Sequence, residues 1–292
     1  MHLHNNKPIL IFENIQVHSK RTASIPAYND NKVDDISIND KNMKATEATT
    51  SALSTICQRW ISKLRPNTVS QPIIPAHQRL LIDGATGKLL AGQVTVLTGG
   101  SGSGKSVLLR VLAGLLPMSG GNVRLRRDDQ STSSVYCSIH DTAPIQWRTH
   151  VALLAQHPQL LEGSVLENLQ MPYQLQAHQH LDFDIDWHIA QLEQLQRSAD
   201  FLQQEVYHLS GGERQLVNTL RLLQLNPRVL LLDEPTAALD SDTSAQLVNL
   251  LMNWLEADSQ RTLLWVTHDT KDIMPLADQH WQMQAGVLTE IF

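Results

Sequence analysis

Short apolar runs and longer amphipathic stretches alternate along the chain and predict alternating strands and helices. The runs at residues 93–98, 151–155, 229–232 and 262–267 predict strands. The run at 229–232 is continuously apolar, as expected for a parallel strand that is buried on both faces. Helices are predicted at residues 107–113, 164–170, 185–204 and 213–224. The pattern therefore predicts both kinds of element in the same chain.

The remaining elements are predicted at the two ends of the chain. Residues 9–17 and 79–82 are also predicted to be strands. Trp281 and Met283 lie on a late predicted strand and are interpreted as packing residues.

A glycine-rich segment joins the strand at 93–98 to the helix at 107–113. It consists of Gly99, Gly100, Ser101, Gly102, Ser103, Gly104, Lys105 and Ser106. Glycines let backbone N–H groups point inward around phosphate oxygens, and the start of the following helix adds the positive end of its dipole. Lys105 is expected to reach the β- and γ-phosphates, and Ser106 is expected to bind Mg²⁺. The alternative is a flexible turn rich in Gly and Ser.

Two carboxylates, Asp233 and Glu234, follow the apolar strand at 229–232. Asp233 is expected to hold Mg²⁺, directly or through water. Glu234 is the candidate general base that orients or deprotonates an attacking water. A phosphate loop combined with such a pair predicts a nucleotide hydrolase, whereas the alternative is an ordinary strand exit with solvated carboxylates.

A third motif, Leu209-Ser210-Gly211-Gly212-Glu213-Arg214-Gln215, lies between the first two. Gly211 and Gly212 would open the helix at 213–224 and offer its N-terminus to an anion. Ser-Gly-Gly-Glu is also typical of a helix cap, and both interpretations can hold.

With these motifs in this order, the chain resembles the ATP-binding subunit of an ABC transporter. The resemblance covers about residues 8–17 and 79–292. It implies an α/β fold, with a P-loop NTPase core, an antiparallel β-subdomain and an inserted helical subdomain at about 157–208. The ATPase domain would span 8–292, interrupted by a polar insertion at about 19–75.

The resemblance also implies roles for further residues. Gln156 matches the glutamine that senses Mg²⁺ and the attacking water, and His268 matches the switch histidine that contacts the γ-phosphate and positions Glu234. Asp240 ends a loop that touches the opposite subunit.

The implied mechanism is that of an ATP-driven dimer of two copies placed head to tail. Each ATP would lie between the phosphate loop of one copy and Ser210, Gly211 and Gly212 of the other. Closure would act on a separate integral membrane permease, which places the subunit at the cytoplasmic face of the inner membrane. The segments at 220–227 and 264–269 are similar to the ATPase subunit of Fet-type iron exporters.

The chain departs from the family pattern at several positions. Val107 replaces a Thr whose hydroxyl would contact the α-phosphate, a bond worth about 1 kcal/mol. Leu216 replaces a frequent Arg. The family places an adenine-stacking aromatic residue where Val17 or His18 stands here, with Tyr28 as a substitute candidate.

Composition narrows the class of protein further. The net charge of −6 and the pI of about 6.1 argue against nucleic-acid binding. The longest basic cluster, residues 124–127, predicts an exposed strand. Cys57 and Cys137 form no CxxC motif, which suits a reducing cytosol. No apolar run is long enough to span a membrane and the start does not resemble a signal peptide, so transport would need a separate membrane subunit.

Two local patterns leave alternatives open. The histidines in a Gln-rich region could form a metal site, although solvated surface is the favoured interpretation; they are His157, His178, His180 and His188. Residues 54–64 could form a short amphipathic helix that packs on its own domain or docks a partner.

Two other functions stay open. One is a soluble ABC ATPase of the DNA-repair or translation type, which the single ATPase domain and the acidic charge disfavour. The other is a non-hydrolysing nucleotide sensor. Val107 motivates that idea, whereas the retained Lys105, Glu234 and His268 oppose it.

Overall fold

The computed structural model describes residues 7–19, 79–127 and 135–292. Residues 20–75 of the predicted insertion lie outside this part of the chain. The helix predicted at 54–64 and the candidate Tyr28 fall in the same stretch and are likewise not described.

The described residues form ten strands, six α-helices and four 3₁₀ turns. The strands are β1 (Pro8–Ser19), β2 (Arg79–Leu90), β3 (Val94–Thr98), β4 (Gly120–Arg126), β5 (Tyr136–Ser138), β6 (Val151–Leu154), β7 (Val229–Asp233), β8 (Thr262–Val266), β9 (Gln279–Gln284) and β10 (Val287–Glu290). The helices are α1 (Lys105–Leu112), α2 (Pro144–His150), α3 (Val165–Gln170), α4 (Ile185–Gln194), α5 (Gly211–Leu223) and α6 (Ser241–Glu256). The 3₁₀ turns are Met171–Gln174, Ala199–Gln203, Val206–His208 and Met274–Leu276.

Six strands form a mainly parallel sheet in the order β10-β9-β3-β8-β7-β6. Strands β9, β3, β8, β7 and β6 are parallel to one another, and the edge strand β10 pairs with β9 in the antiparallel direction. The residues of β7 and β8 are buried throughout, as their apolar sequences require. The carboxyl ends of β3, β8, β7 and β6 therefore meet at one edge of the sheet, where open α/β sheets bind ligands.

The second sheet has four antiparallel strands in the order β2-β1-β4-β5. Phe12 of β1 contacts Trp281 of β9 edge to face, with ring centroids 5.7 Å apart. Trp281 and Met283 are 2% and 0% exposed, so their predicted packing role is confirmed. The α/β fold with a P-loop core and an antiparallel β-subdomain is also confirmed.

Short helices and 3₁₀ turns fill the chain between β6 and β7, where the helical subdomain was expected. The single helix predicted at 185–204 is wrong, because α4 ends at Gln194. Gln196 then adopts a left-handed backbone with φ of 56°, and the N–H of Arg197 bonds the carbonyl of Leu192. A left-handed residue at this place ends an α-helix.

His188 is buried on α4, which contradicts the interpretation of this histidine as solvated surface. Its side chain is 0% exposed and stacks on Phe183, with ring centroids 4.4 Å apart. Nδ1 lies 2.5 Å from the carbonyl oxygen of Asp184, and Nε2 lies 2.7 Å from Oε1 of Gln224. Burial lowers the pKa of His188, against the opposing effect of these two acceptors.

The basic cluster at 124–127 is only partly exposed, so that prediction is also wrong. Leu125 is 6% exposed and Arg126 is 8% exposed. The guanidinium of Arg126 donates hydrogen bonds to the carbonyl of Lys7 and to the side chain of Gln260. A run of charged residues cannot reveal that one of its guanidinium groups is buried by pairing with distant parts of the chain.

Among the described residues, no helix is both long and apolar enough to cross a membrane.

Candidate functional site

The glycine-rich segment forms a loop between β3 and α1. Gly99, Gly102 and Gly104 have φ of 146°, 73° and 112°, a region that residues with a Cβ rarely adopt. A Cβ at Gly99 would lie 2.2 Å from the carbonyl oxygen of Met283, so close approach to β9 also requires glycine there. Gly100 and Gly102 have no atoms within 4 Å of a Cβ position, which leaves that side of the loop open.

The N-terminus of α1 has no side-chain cap. Gly104 occupies the N-cap position and supplies no side-chain acceptor for the first N–H groups of the helix. Such unsatisfied donors, together with the helix dipole, favour an anion. The glycine backbone and the uncapped helix together fit the phosphates of a nucleotide.

Lys105 is 5% exposed and lies within the loop. Its Nζ donates to the carbonyl oxygens of Gly99 at 2.6 Å and Gly100 at 3.1 Å. Burial lowers the pKa of Lys105, while the nearby carboxylates of Glu234 and Asp233 oppose that shift. A buried amine that is held by neutral carbonyls is suited to receive an anion.

Ser106 and Asp233 face each other at the carboxyl end of β7. The hydroxyl of Ser106 donates to Oδ1 of Asp233 at 3.1 Å, and Asp233 is 8% exposed. A hydroxyl and a carboxylate provide the hard oxygen ligands that Mg²⁺ prefers, so the residues fit that ion.

Glu234 lies at the centre of a set of polar contacts. Its Oε1 lies 2.7 Å from Nε2 of His268, and its Oε2 accepts a bond of 3.2 Å from Nε2 of Gln156. Nζ of Lys105 lies 3.5 Å from the same His268 nitrogen. Because the contact with Glu234 is the shorter, His268 is interpreted as donating Nε2–H to the carboxylate. The fold therefore brings together four predicted site residues that lie far apart in the sequence: Lys105, Gln156, Glu234 and His268.

The backbone of Glu234 has φ of 50°, the left-handed region. Its N–H nevertheless bonds the carbonyl of Val266, and its carbonyl accepts from Ala237. Non-glycine residues held in this way cost about 1–3 kcal/mol and cluster at functional sites.

The third motif forms the N-terminus of α5 and is capped within its own chain. The hydroxyl of Ser210 accepts from the N–H of Glu213 at 3.2 Å and donates to Oε2 of Glu213 at 2.9 Å. The same carboxylate oxygen accepts from the N–H of Ser210 at 2.9 Å. Arg197, which the sequence gave no reason to single out, forms an ion pair of 3.7 Å with Glu213. The predicted capping box is therefore present.

Gly212 of α5 packs closely against the segment that contains Asp240. A Cβ at Gly212 would lie 3.3 Å from Thr243 and 3.4 Å from Leu239. The carboxylate of Asp240 caps α6 by accepting from the N–H groups of Asp242 and Thr243 and from the Thr243 hydroxyl. Gly211 is exposed, with open space at its Cβ position.

The other predicted positions are also located. Val107 is half-buried and packs against the core beneath α1. Ser103 is 8% exposed, and its hydroxyl has no hydrogen-bond partner among the described residues. Ser101 is exposed at the tip of the loop. In this part of the chain, no group of three or more His, Cys, Asp or Glu residues could hold a metal ion, including the histidines of the Gln-rich region.

Comparisons with known proteins agree with this geometry. Residues 82–237 match the ABC transporter family model. The probable iron export ATP-binding protein FetA of Escherichia coli K12 is 35% identical over 209 residues, which cover 69% of this chain and 84% of FetA.

Import proteins match at similar identity over a smaller share of their own length. A methionine import ATP-binding protein MetN 1 of Pseudomonas fluorescens is 35% identical, and the match covers 68% of this chain but 57% of the relative. The molybdenum import ATP-binding protein ModC of Albidiferax ferrireducens is also 35% identical, over 52% of its length.

A solved structure shares the fold. The dimeric post-hydrolysis state of the ATP-binding cassette MJ0796, bound to ADP and Pi, superposes with a TM-score of 0.65 at 18% identity, covering 97% of this chain and 99% of that one. The family match and the identity to curated relatives carry the assignment: this chain belongs to the ATP-hydrolysing, ATP-binding subunits of ABC transporters.

Proposed function

We propose that the chain hydrolyses ATP with Glu234 as the general base and uses this reaction to drive a separate membrane permease. The observation that supports the proposal most is the set of contacts around Glu234. Its carboxylate is held by His268 on one oxygen and by Gln156 on the other, beside the buried amine of Lys105.

Each residue of the site then has one task. The N–H groups of the phosphate loop and the amine of Lys105 bind the phosphates of ATP. Ser106 and Asp233 hold Mg²⁺, with Gln156 nearby. This ion would neutralise charge on the phosphates as the bond to the γ-phosphate breaks. Glu234 orients a water and receives its proton, while His268 keeps the carboxylate in position.

A variant of Glu234 tests the assignment of the base. Glu234→Gln keeps the side-chain volume and removes the proton acceptor. We expect unchanged ATP binding and a loss of hydrolysis of about 10²–10⁴-fold, the usual contribution of a general base. The measurement is phosphate release alongside nucleotide binding, and wild-type turnover in this variant would exclude Glu234 as the base.

The working form is proposed to be a dimer of two copies of this chain. The support is the N-terminus of α5, where the exposed Ser210 and Gly211 present polar groups at the surface. In a head-to-tail pair these groups would contact the γ-phosphate held by the other copy. Purified Glu234→Gln protein should therefore dimerise when ATP is added and remain monomeric without it.

We propose iron export as the transport activity. The support is the similarity to the probable iron export protein FetA, because the match covers 84% of the length of FetA. The matches to the methionine and molybdenum import proteins cover only 57% and 52% of their lengths. Deleting the gene together with that of its permease should raise cellular iron. Unchanged iron, with altered uptake of methionine or molybdate, would replace this substrate.

The proposed partner is an integral membrane permease, and nucleic acid is not expected to bind. The proposed site of action is the cytoplasmic face of the inner membrane. A pull-down of the tagged chain in mild detergent tests all three. A polytopic membrane protein in equal amount is the expected partner. Recovery of nucleic acid or soluble proteins alone would favour a soluble ABC ATPase.

A further inference from the structure

Tyr207 is a large aromatic side chain without a place in the core. It is 69% exposed, and Phe292, at 58%, is the other aromatic residue among the exposed large apolar side chains of the described regions. The ring of Tyr207 contacts the ring of the adjacent His208, with centroids 3.9 Å apart. Tyr is enriched at interfaces because its ring is apolar and its hydroxyl can form a hydrogen bond.

The backbone that carries Tyr207 is fixed. It belongs to the 3₁₀ turn Val206–His208, and Val206 is 8% exposed with its N–H bonded to the carbonyl of Gly163 at 2.9 Å. The guanidinium of Arg214 donates to the carbonyl of Tyr207 at 3.3 Å. A rigid turn that projects an aromatic ring loses little conformational entropy when the ring binds a partner.

Tyr207 also lies close to the N-terminus of α5. Ser210 lies three positions further along the chain, so the two Cα atoms are at most about 10 Å apart. A nucleoside triphosphate whose γ-phosphate contacts Ser210 has its base at a comparable distance from that contact. Tyr207 is therefore within range of the base end of such a nucleotide.

In the described regions, no exposed Phe, Tyr or Trp is found among the residues packed against the phosphate loop. The chain packed against the loop includes Leu81, Ile82, Gln282, Met283, Gln284 and Ala285. The nearest aromatic pair, formed by Phe12 and Trp281, is buried at 0% and 2% exposure. The base of a nucleotide held by this loop has a π face that these neighbours leave without an aromatic partner.

We propose that Tyr207 of one subunit stacks on the nucleobase of the ATP held by the phosphate loop of the other subunit. The inference rests on the proposed head-to-tail dimer. It makes Tyr207 an affinity residue that acts across the interface. Because every base offers a π face, the contact strengthens binding of purine nucleotides in general and does not select adenine over guanine.

Nucleotides with and without a base separate stacking from a structural effect. Tyr207→Ala should raise the KM for ATP and for GTP by about 5- to 100-fold, while Tyr207→Phe should remain near wild type. The KM for ribose 5′-triphosphate, which keeps the phosphates and lacks the base, should not change. Phe292→Ala, which removes the other exposed aromatic ring, is the matched control and should leave each KM unchanged.

A mixed dimer tests whether the contact crosses the interface. One subunit carries Lys105→Ala and keeps Tyr207, and the other carries Tyr207→Ala and keeps its phosphate loop. Different tags on the two subunits allow the mixed pair to be isolated. The intact loop should then bind ATP with wild-type affinity, because it faces the intact Tyr207.

The outcomes decide between distinct failures. An equal rise in KM for ATP and ribose 5′-triphosphate, an unchanged KM for ATP, or weak ATP binding by the mixed dimer would overturn the inference. Absence of ATP hydrolysis by the wild-type chain, or hydrolysis that survives Lys105→Ala, would instead overturn the proposed function of the site.

Discussion

The N-termini of α1 and α5 are both proposed to contact phosphate, yet their backbone N–H groups are capped in opposite ways. At α1 no side chain caps the helix, and the first N–H groups are left to a ligand. At α5 a complete capping box between Ser210 and Glu213 satisfies the same kind of groups. The N-terminus of α1 is therefore suited to bind an anion, whereas the N-terminus of α5 is already capped by its own chain.

This difference matches the different positions of the two helices in the proposed dimer. α1 would hold the phosphates of its own nucleotide, and Lys105 at its start lies beside His268, which contacts Glu234. α5 would meet a nucleotide only when a second subunit brings it. A cap that satisfies the helix alone keeps the monomer folded until that contact forms.

The largest expected effect comes from breaking the α1 side. Gly99→Ala places a Cβ 2.2 Å from a backbone carbonyl oxygen at a φ of 146°. The loop must shift, and a misplacement of about 1 Å in a reacting assembly costs about 100-fold. The kcat/KM for ATP hydrolysis by the purified variant measures this loss.

Gly100→Ala is the control for this variant, because its Cβ position is open and its φ is not positive. A near-normal kcat/KM is expected for Gly100→Ala. Equal losses in both variants would mean that the open side of the loop is as restrictive as the side facing β9.

A smaller effect is expected from breaking the α5 side. Ser210→Ala removes a cap worth about 1 kcal/mol of stability and a donor for the γ-phosphate, worth about 10- to 100-fold in kcat/KM. ATPase assays and denaturant unfolding separate the two losses.

Ser164→Ala provides the matched comparison, because Ser164 and Glu167 form the same capping box on α3. It should lose similar stability and keep its ATPase activity. If both variants lose only stability, Ser210 has no role beyond capping.

The smallest expected effect concerns the C-terminal end of α5, where His188 bonds the side chain of Gln224. Burial lowers the pKa of His188 in the folded protein. As the pH falls below the ordinary histidine value of about 6.5, the unfolded chain binds the proton first, so the free energy of unfolding decreases until the folded pKa is passed.

Replacing this histidine removes that part of the pH dependence. Unfolding in urea at several pH values should give a flatter profile for His188→Gln than for the wild type. If the difference in the free energy of unfolding between the two proteins is the same at every pH, the pKa of His188 does not change on unfolding.

Sequence patterns predicted the parts of the fold and site that depend on local chemistry. The buried strand before Asp233 and the glycine loop before Lys105 are local, and the structure has both. The edge at which Gln156, Glu234 and His268 meet follows from their places after parallel strands. The roles of these residues in catalysis remain predictions.

The failures involve contacts between distant parts of the chain. The burial of His188 depends on Gln224, which lies 36 positions away, and that of Arg126 on Gln260, 134 positions away. The end of α4 depends on one residue in the left-handed conformation. No periodicity in the sequence encodes such pairings, because periodicity reports only which face of an element is apolar.

The left-handed backbone of Glu234 sets stability against activity at one position. A glycine would adopt φ of 50° without strain and would relieve part of a cost of about 1–3 kcal/mol. The same change would remove the carboxylate proposed as the base. Selection for thermal stability alone would therefore favour Glu234→Gly and inactivate the enzyme, so heat tolerance is an unsafe guide when improved variants of this chain are chosen.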